Sequence, residues 1–107
     1  MKINFTQLIN GLDGNPVPEA RIVDGREVLG EPIKLSAPCI NSLLANDPNE
    51  RVDGVEKLIR FALAQRIQQS TGEIEVKAEE IAKIKELVGK FMPTLIAGSV
   101  WKILEDK

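Results

Sequence analysis

Cys39 is the residue whose type alone could make it a nucleophile, and it stands in a chain of 107 residues with no histidine and no tyrosine. A thiol attacks as its thiolate, which forms near neutral pH only beside a base, a cation or a helix N-terminus. With no imidazole to serve as base, the role expected of Cys39 is that of a small, reduced packing residue on the apolar side of a helix. A lone cysteine also excludes an intramolecular disulfide. Glu73 with Glu75, and Glu79 with Glu80, place carboxylates together but lack convergent His or Asp ligands, so they read as solvated faces. Asp47, Asn49 and Asp53-Gly54 have the flavour of a calcium loop. That loop needs Gly at its sixth position and Glu at its twelfth, and this chain has Val52 and Leu58 there, which excludes it. No glycine-rich phosphate loop, dinucleotide fingerprint or nucleophile elbow occurs. The inventory therefore predicts a protein that is not an enzyme and carries no metal or cofactor.

Residues suited to binding are a different set. Net charge is −2, and the cations Arg21, Arg26, Arg51, Arg60, Lys83 and Lys90 are scattered along the chain, which argues against a surface that tracks phosphates. Arg66, Met92 and Trp101 belong to the types enriched at protein interfaces; Arg66 falls inside the apolar arc of the central helix, and Met92 and Trp101 lie at the margin of the C-terminal helix pair. They are the candidate protein-binding residues. The competing role for Trp101 is to close the rim of the core, and for Arg66 to reach past the core to water.

The elements that must position these residues follow from periodicity. The expected architecture is α+β, a single domain over 1–107, with an extended or hairpin segment over 1–35 and a helical core over 36–107. At this length the fold buries about 65% of the unfolded surface, enough to need no disulfide or metal. Val55 to Ile67 reads as a central helix. Val55, Leu58, Ile59, Ala62 and Leu63 share one face, and Phe61, Ala64 and Ile67 carry apolar character beyond it. Only Lys57, Arg60 and the Gln68 end would then face water, so Leu58, Ile59 and Ala62 are expected to be buried.

Around it, Ser36 and Pro38 open a first helix running to about Ala45, and Asn46-Asp47-Pro48-Asn49 ends it. Asp53 is placed to cap the central helix. A third helix, Ala78 to Phe91, turns Ile81, Ile84, Leu87 and Val88 inward. Its Glu79–Lys83 and Glu86–Lys90 spacings suit i, i+4 pairs worth about 0.2 to 0.5 kcal/mol each. Met92-Pro93-Thr94 breaks that helix, and Thr94 caps a fourth running to about Glu105, with Ile96, Val100 and Ile103 in its buried arc. Asp24-Gly25 predicts a type I′ hairpin turn that sets Ile22 opposite Glu27 and Val23 opposite Arg26, an exposed ribbon with neither face cleanly apolar. Ile33-Lys34-Leu35 and Ile74-Glu75-Val76 each lead into a helix and are expected to pair in a minor sheet.

The helix order carries a resemblance. Asn41-Ser42-Leu43-Leu44-Ala45, then Lys57-Leu58-Ile59-Arg60-Phe61-Ala62-Leu63-Ala64, then Ala78 to Lys90, then Leu95 to Glu105, resembles small proteins encoded by bacteriophages and prophages. Lys77 departs from that pattern, where a Ser or Thr cap would suit the third helix better. The resemblance implies a phage origin and a role in virion or tail assembly, as component or chaperone, or in handling a host protein. It brings no catalytic residues with it. The expected function is a non-enzymatic protein-binding factor whose partner is a phage or host protein or a second copy of itself. The alternative is a small nucleic-acid-binding regulator that uses helices three and four across the tight Met92-Pro93-Thr94 connection. The N-terminal MKINFTQLING is too polar for a signal sequence and no apolar run spans a bilayer, which places the protein in the cytoplasm on this reading. Asn4-Phe5-Thr6 fits the glycosylation sequon, a chance match in that compartment.

Overall fold

In the computed structural model, residues 1–105 are described; Asp106 and Lys107, the last two of the expected domain, lie outside the described residues. The chain is α+β. Strand β1 is Lys2–Asn4, and strands β2 (Pro18–Val23) and β3 (Arg26–Pro32) form a hairpin. Helices α1 (Ser36–Leu44) and α2 (Gly54–Gln69) follow, then strand β4 (Glu73–Glu75) and helices α3 (Ala78–Phe91) and α4 (Thr94–Glu105).

The hairpin forms in the expected register, Ile22 opposite Glu27 and Val23 opposite Arg26. Asp24 and Gly25 both take positive φ, 53° and 76°, which a type I′ turn requires and which Asp and Gly tolerate best. Its apolar side chains, Ile22 and Leu29 among them, stay exposed.

The minor sheet differs from expectation. Ile33-Lys34-Leu35 and Ile74-Glu75-Val76 do not pair with each other; each pairs with the N-terminal segment. β4 runs antiparallel to β1, Ile74 opposite Ile3, and the Val76 N–H donates to the Met1 carbonyl at 2.7 Å. Leu35 N–H donates to the Gln7 carbonyl at 2.7 Å, and Ile9 N–H to the Ile33 carbonyl at 3.0 Å. Alternation identifies a strand but not its partner, and here one segment serves two.

That segment also enters the core, which is therefore not confined to the helices. Ile3, Phe5 and Ile9 are fully buried with Leu35, beside Cys39 and Leu43 of α1, Leu63, Ala64 and Ile67 of α2, Ile84 and Val88 of α3, and Val100 and Leu104 of α4. Helix α1 touches both α2 and α3, and α3 packs on α4.

Three further expectations need correction. Ile81, Ile84, Val88 and Val100 are buried and Ile96 and Ile103 are half-buried, but Leu58, Ile59 and Ala62 are exposed. Arg60, expected in water, is turned inward with only 14% of its side chain accessible. α1 begins at Ser36 itself, preceded by Leu35, with no side-chain cap; the Ser36 N–H instead donates to the Phe5 carbonyl at 2.9 Å. A strand-like backbone bond thus satisfies one of the orphan donors at the start of the helix. At α3, Lys77 is the residue before the helix, and Glu80 Oε1 accepts from its N–H at 2.9 Å. That back-bond supplies half of a capping box without a hydroxyl.

Candidate protein-binding site

Helix α2 is capped as its sequence dictates: Asp53 stands in extended geometry and accepts the Glu56 N–H at 2.8 Å. What the cap does not set is the side that meets the core. At 100° per residue, Glu56, Arg60, Leu63, Ala64 and Ile67 form one continuous stripe, and that is the stripe facing inward. Its C-terminal half is apolar and buried. Its N-terminal half is charged and held by ion pairs.

Those pairs form a chain from α2 to α3. Lys83 of α3 binds both carboxylate oxygens of Glu56, and Arg60 lies 3.5 Å from Glu56 and 3.4 Å from Glu50 in the preceding loop. Lys90 of α3 then binds Glu50 and reaches Asp47 at 2.9 Å. The lysines expected to pair within α3 thus reach across to α2 and its loop. Lys83 above all, through a side-chain hydrogen bond, holds the Glu56 carboxyl below its usual range, and Lys90 does the same for Glu50. Asp47 is lowered mainly by the Asn49 backbone N–H and then by Lys90, whose own ammonium is raised by Glu50 and Asp47. The carboxylates here converge on ammonium groups, and among the described residues no group of three His, Cys, Asp or Glu could hold a metal ion.

Anchoring that stripe leaves the opposite one uncovered. Val55 is 70% exposed, Leu58 66%, Phe61 56% and Ile59 48%, with exposed Ala62 between them. Single exposed apolar residues are ordinary, but five within eight positions on one helix face make a contiguous patch of the kind that marks an interaction site. Beyond Ala62 the outer face turns polar with Gln65, Arg66 and Gln69. Sequence reasoning assigned these apolar residues to the core. The signal that could have separated the stripes is Glu56 and Arg60 at i and i+4, continuous with Leu63, Ala64 and Ile67 but charged where an enclosed helix would be apolar.

The structure gives the three residues picked from the sequence other tasks. Arg66 pairs with Glu80 at 2.5 Å and donates to the Glu75 carbonyl at 2.7 Å, fastening α2 to β4 and to the start of α3. Met92 is half-buried against the core at the end of α3. Trp101, 37% exposed, donates its indole N–H to the Lys85 carbonyl at 2.9 Å, lies against Gly89, and carries the Lys85 ammonium 4.7 Å from its ring centroid. It seals the α3–α4 seam. The three are not brought together: Arg66 borders the exposed α2 face at its polar end, while Met92 and Trp101 belong to the end of α3 and to α4.

Elsewhere the chemistry is sparse. Cys39 is fully buried and burial pushes its thiol up to about 12, which keeps it protonated. The Asn4 amide oxygen accepts from the Thr6 N–H at 2.9 Å in a local turn. An open groove of about 880 Å³ runs between Asn10–Gly14 and α4, lined by Leu12, Leu95, Gly98 and Ile103, with Lys102 its one ionisable side chain. No described helix is long and apolar enough to cross a membrane. Comparison with protein-family models, with curated proteins and with solved structures found no match to this chain.

Proposed function

We propose that the chain is a non-enzymatic protein-binding factor of the phage or prophage kind its helix order resembles, acting in virion assembly or on a host protein, with the outer face of α2 as its docking surface. The observation that carries this reading is the division of the helix: Glu56 and Arg60 are turned inward, paired with Lys83 and Glu50, while Val55, Leu58, Ile59 and Phe61 are left in water. Exposing Val55, Leu58, Ile59 and Phe61 gives up burial worth about 1.5 to 3 kcal/mol for each fully covered side chain, a loss recovered when a protein surface covers them. The nucleic-acid alternative gains no support from the geometry. Lys83, Lys85 and Lys90, the cations of α3, are each paired with a carboxylate, and those pairs would have to break before phosphates could be bound.

A photo-crosslinking amino acid at position 58 tests the reading in cells, with position 79 on the solvent side of α3 as control. Protein adducts at 58 and none at 79 are the expected result. An absence of protein adducts at 58 would overturn it.

A further inference from the structure

We infer that the occupant of the outer α2 face is a second copy of this chain, docked with its own α2 antiparallel across a two-fold axis. This rests on the reading of that face as a protein-binding surface and names its partner.

The stripe is matched to itself. Val55, Leu58, Ile59 and Ala62 sit at i, i+3, i+4 and i+7, a spacing symmetric about the midpoint between Leu58 and Ile59. A two-fold axis through that midpoint sets Val55 against Ala62 of the second copy and Leu58 against its Ile59. A large residue then faces a small one at each end, and two branched residues of similar volume meet at the centre. Ala62 keeps the ends narrow enough for helix axes 8–10 Å apart. An isologous contact requires this kind of matching, since one patch must serve both sides.

The area is also right. From their exposed fractions, Val55, Leu58, Ile59 and Ala62 present on the order of 400 Å² of apolar accessible surface. A standard interface buries about 800 Å² on each partner, somewhat over half of it non-polar. The stripe alone therefore supplies most of the apolar share of a stable dimer, with the neutral amides Gln65 and Gln69 toward its polar end. Glu56 and Arg60 point away from the contact and are paired within their own copy, and Arg66, the charge at the polar end of the outer face, is held by Glu80 of its own copy. A bilayer surface is the poorer match: a helix lying on lipid keeps free cations on its polar arc, and the inward arc here is committed to carboxylate pairs.

The experiment uses the full chain. Sedimentation velocity from micromolar to hundreds of micromolar protein should show a monomer–dimer equilibrium. Ile59→Lys and Leu58→Glu should each raise its dissociation constant roughly thirty-fold or more, the size of a hot-spot loss, with circular dichroism unchanged. Orientation is read with Val55→Cys and Ala62→Cys, each adding one exposed cysteine to the fully buried Cys39. Mixed together they should give the hetero-disulfide in excess over either homo-disulfide. A homo-disulfide excess would overturn the antiparallel arrangement. A monomer at every concentration would overturn the second copy as occupant; if position 58 still crosslinks to a different protein, the binding reading stands without it, and if it crosslinks to none, both fall.

Discussion

Helices α2 and α3 draw on the same residue types at the same 3.6-residue period, yet they face the core in opposite senses. α3 buries Ile81, Ile84, Leu87 and Val88 and turns Lys83 and Lys90 outward from that face. α2 turns Glu56 toward Lys83 and Arg60 toward Glu56 and Glu50, and leaves Val55, Leu58, Ile59 and Phe61 in water. An amphipathic pattern says that a helix has an apolar side; it does not say whether the core of its own chain lies there. For α3 there is one apolar arc and one solution. For α2 the apolar residues exceed half the circumference, so the charged partners offered by α3 help decide which of them are buried. Both helices complete the core, α2 through Leu63, Ala64 and Ile67, but α2 also leaves an apolar face uncovered.

The widest separation between them is expected in truncation. Ile84→Ala, at a fully buried position, should cost about 2 to 5 kcal/mol, because a cavity adds to the lost transfer energy. Ile59→Ala should fall within about 1 kcal/mol in dilute protein, where no second copy covers it. Urea midpoints measure both. Equal losses would mean that α2 is turned the other way round, with Leu58 and Ile59 inside.

Cys39 sharpens the comparison from the helix that touches both. It is fully enclosed on α1, with its thiol raised to about 12 by burial, so labelling by a thiol reagent requires the core to open. Native protein should react slower than unfolded protein by orders of magnitude. If α2 were only lightly seated, the rate in folded protein would approach the unfolded one.

Much of this was legible from residue order alone. The bounds of α3, the break at Pro93, the Asp53 cap and the hairpin register all depend on local chemistry: a proline, a carboxylate one turn from an N–H, a turn that needs positive φ. What was not legible depends on which surfaces meet. The N-terminal segment pairs with both expected strands because backbone donors carry no label for their partner. The orientation of α2 hung on Lys83 and Lys90 reaching across from another helix, where each had an equally suitable glutamate one turn away on its own. The candidate site shared that weakness. Trp101, Arg66 and Met92, picked by residue type, stand where helices meet their neighbours, Trp101 still 37% exposed, while the apolar face of α2 lay among residues that hydropathy assigned inside.

The ionic attachment of α2 predicts a pH dependence that α3 should not share. Glu56, Glu50 and Asp47 have folded values held below 4.5, 4.5 and 3.8 respectively. A carboxylate lowered on folding contributes stability that is present above its unfolded value and lost as pH falls through the lowered folded one. Lys90 is raised from 10.5, so its contribution is present below that value and lost as pH climbs through the raised one. Between those limits the attachment is intact. On acidification from neutral pH to about 3, with carboxylates of ordinary pKa near 4, the protection of the amides of Glu56 to Arg60, taken relative to their intrinsic exchange rates at each pH, should fall well before that of Ile84 to Val88. An identical loss of protection in the two helices would show that the ion pairs do not hold α2.

The smallest expected effect concerns the polar atom left inside α1. Ser42 is fully buried between the two helices' partners in the core, and its Oγ has no hydrogen-bond partner among the described residues, although its carbonyl accepts the Ala45 N–H at 3.4 Å. A buried hydroxyl without a partner carries a desolvation cost of roughly 1 to 3 kcal/mol, and Ser is also a poorer helix former than Ala by a few tenths. Against this, Ser42→Ala removes only one atom, so the cavity it leaves is small. The balance favours the variant by about 1 kcal/mol or less, read as a higher urea midpoint with an unchanged slope. A loss instead would mean that the hydroxyl bonds back to the carbonyl one turn earlier, at Pro38, the usual recourse of a serine inside a helix.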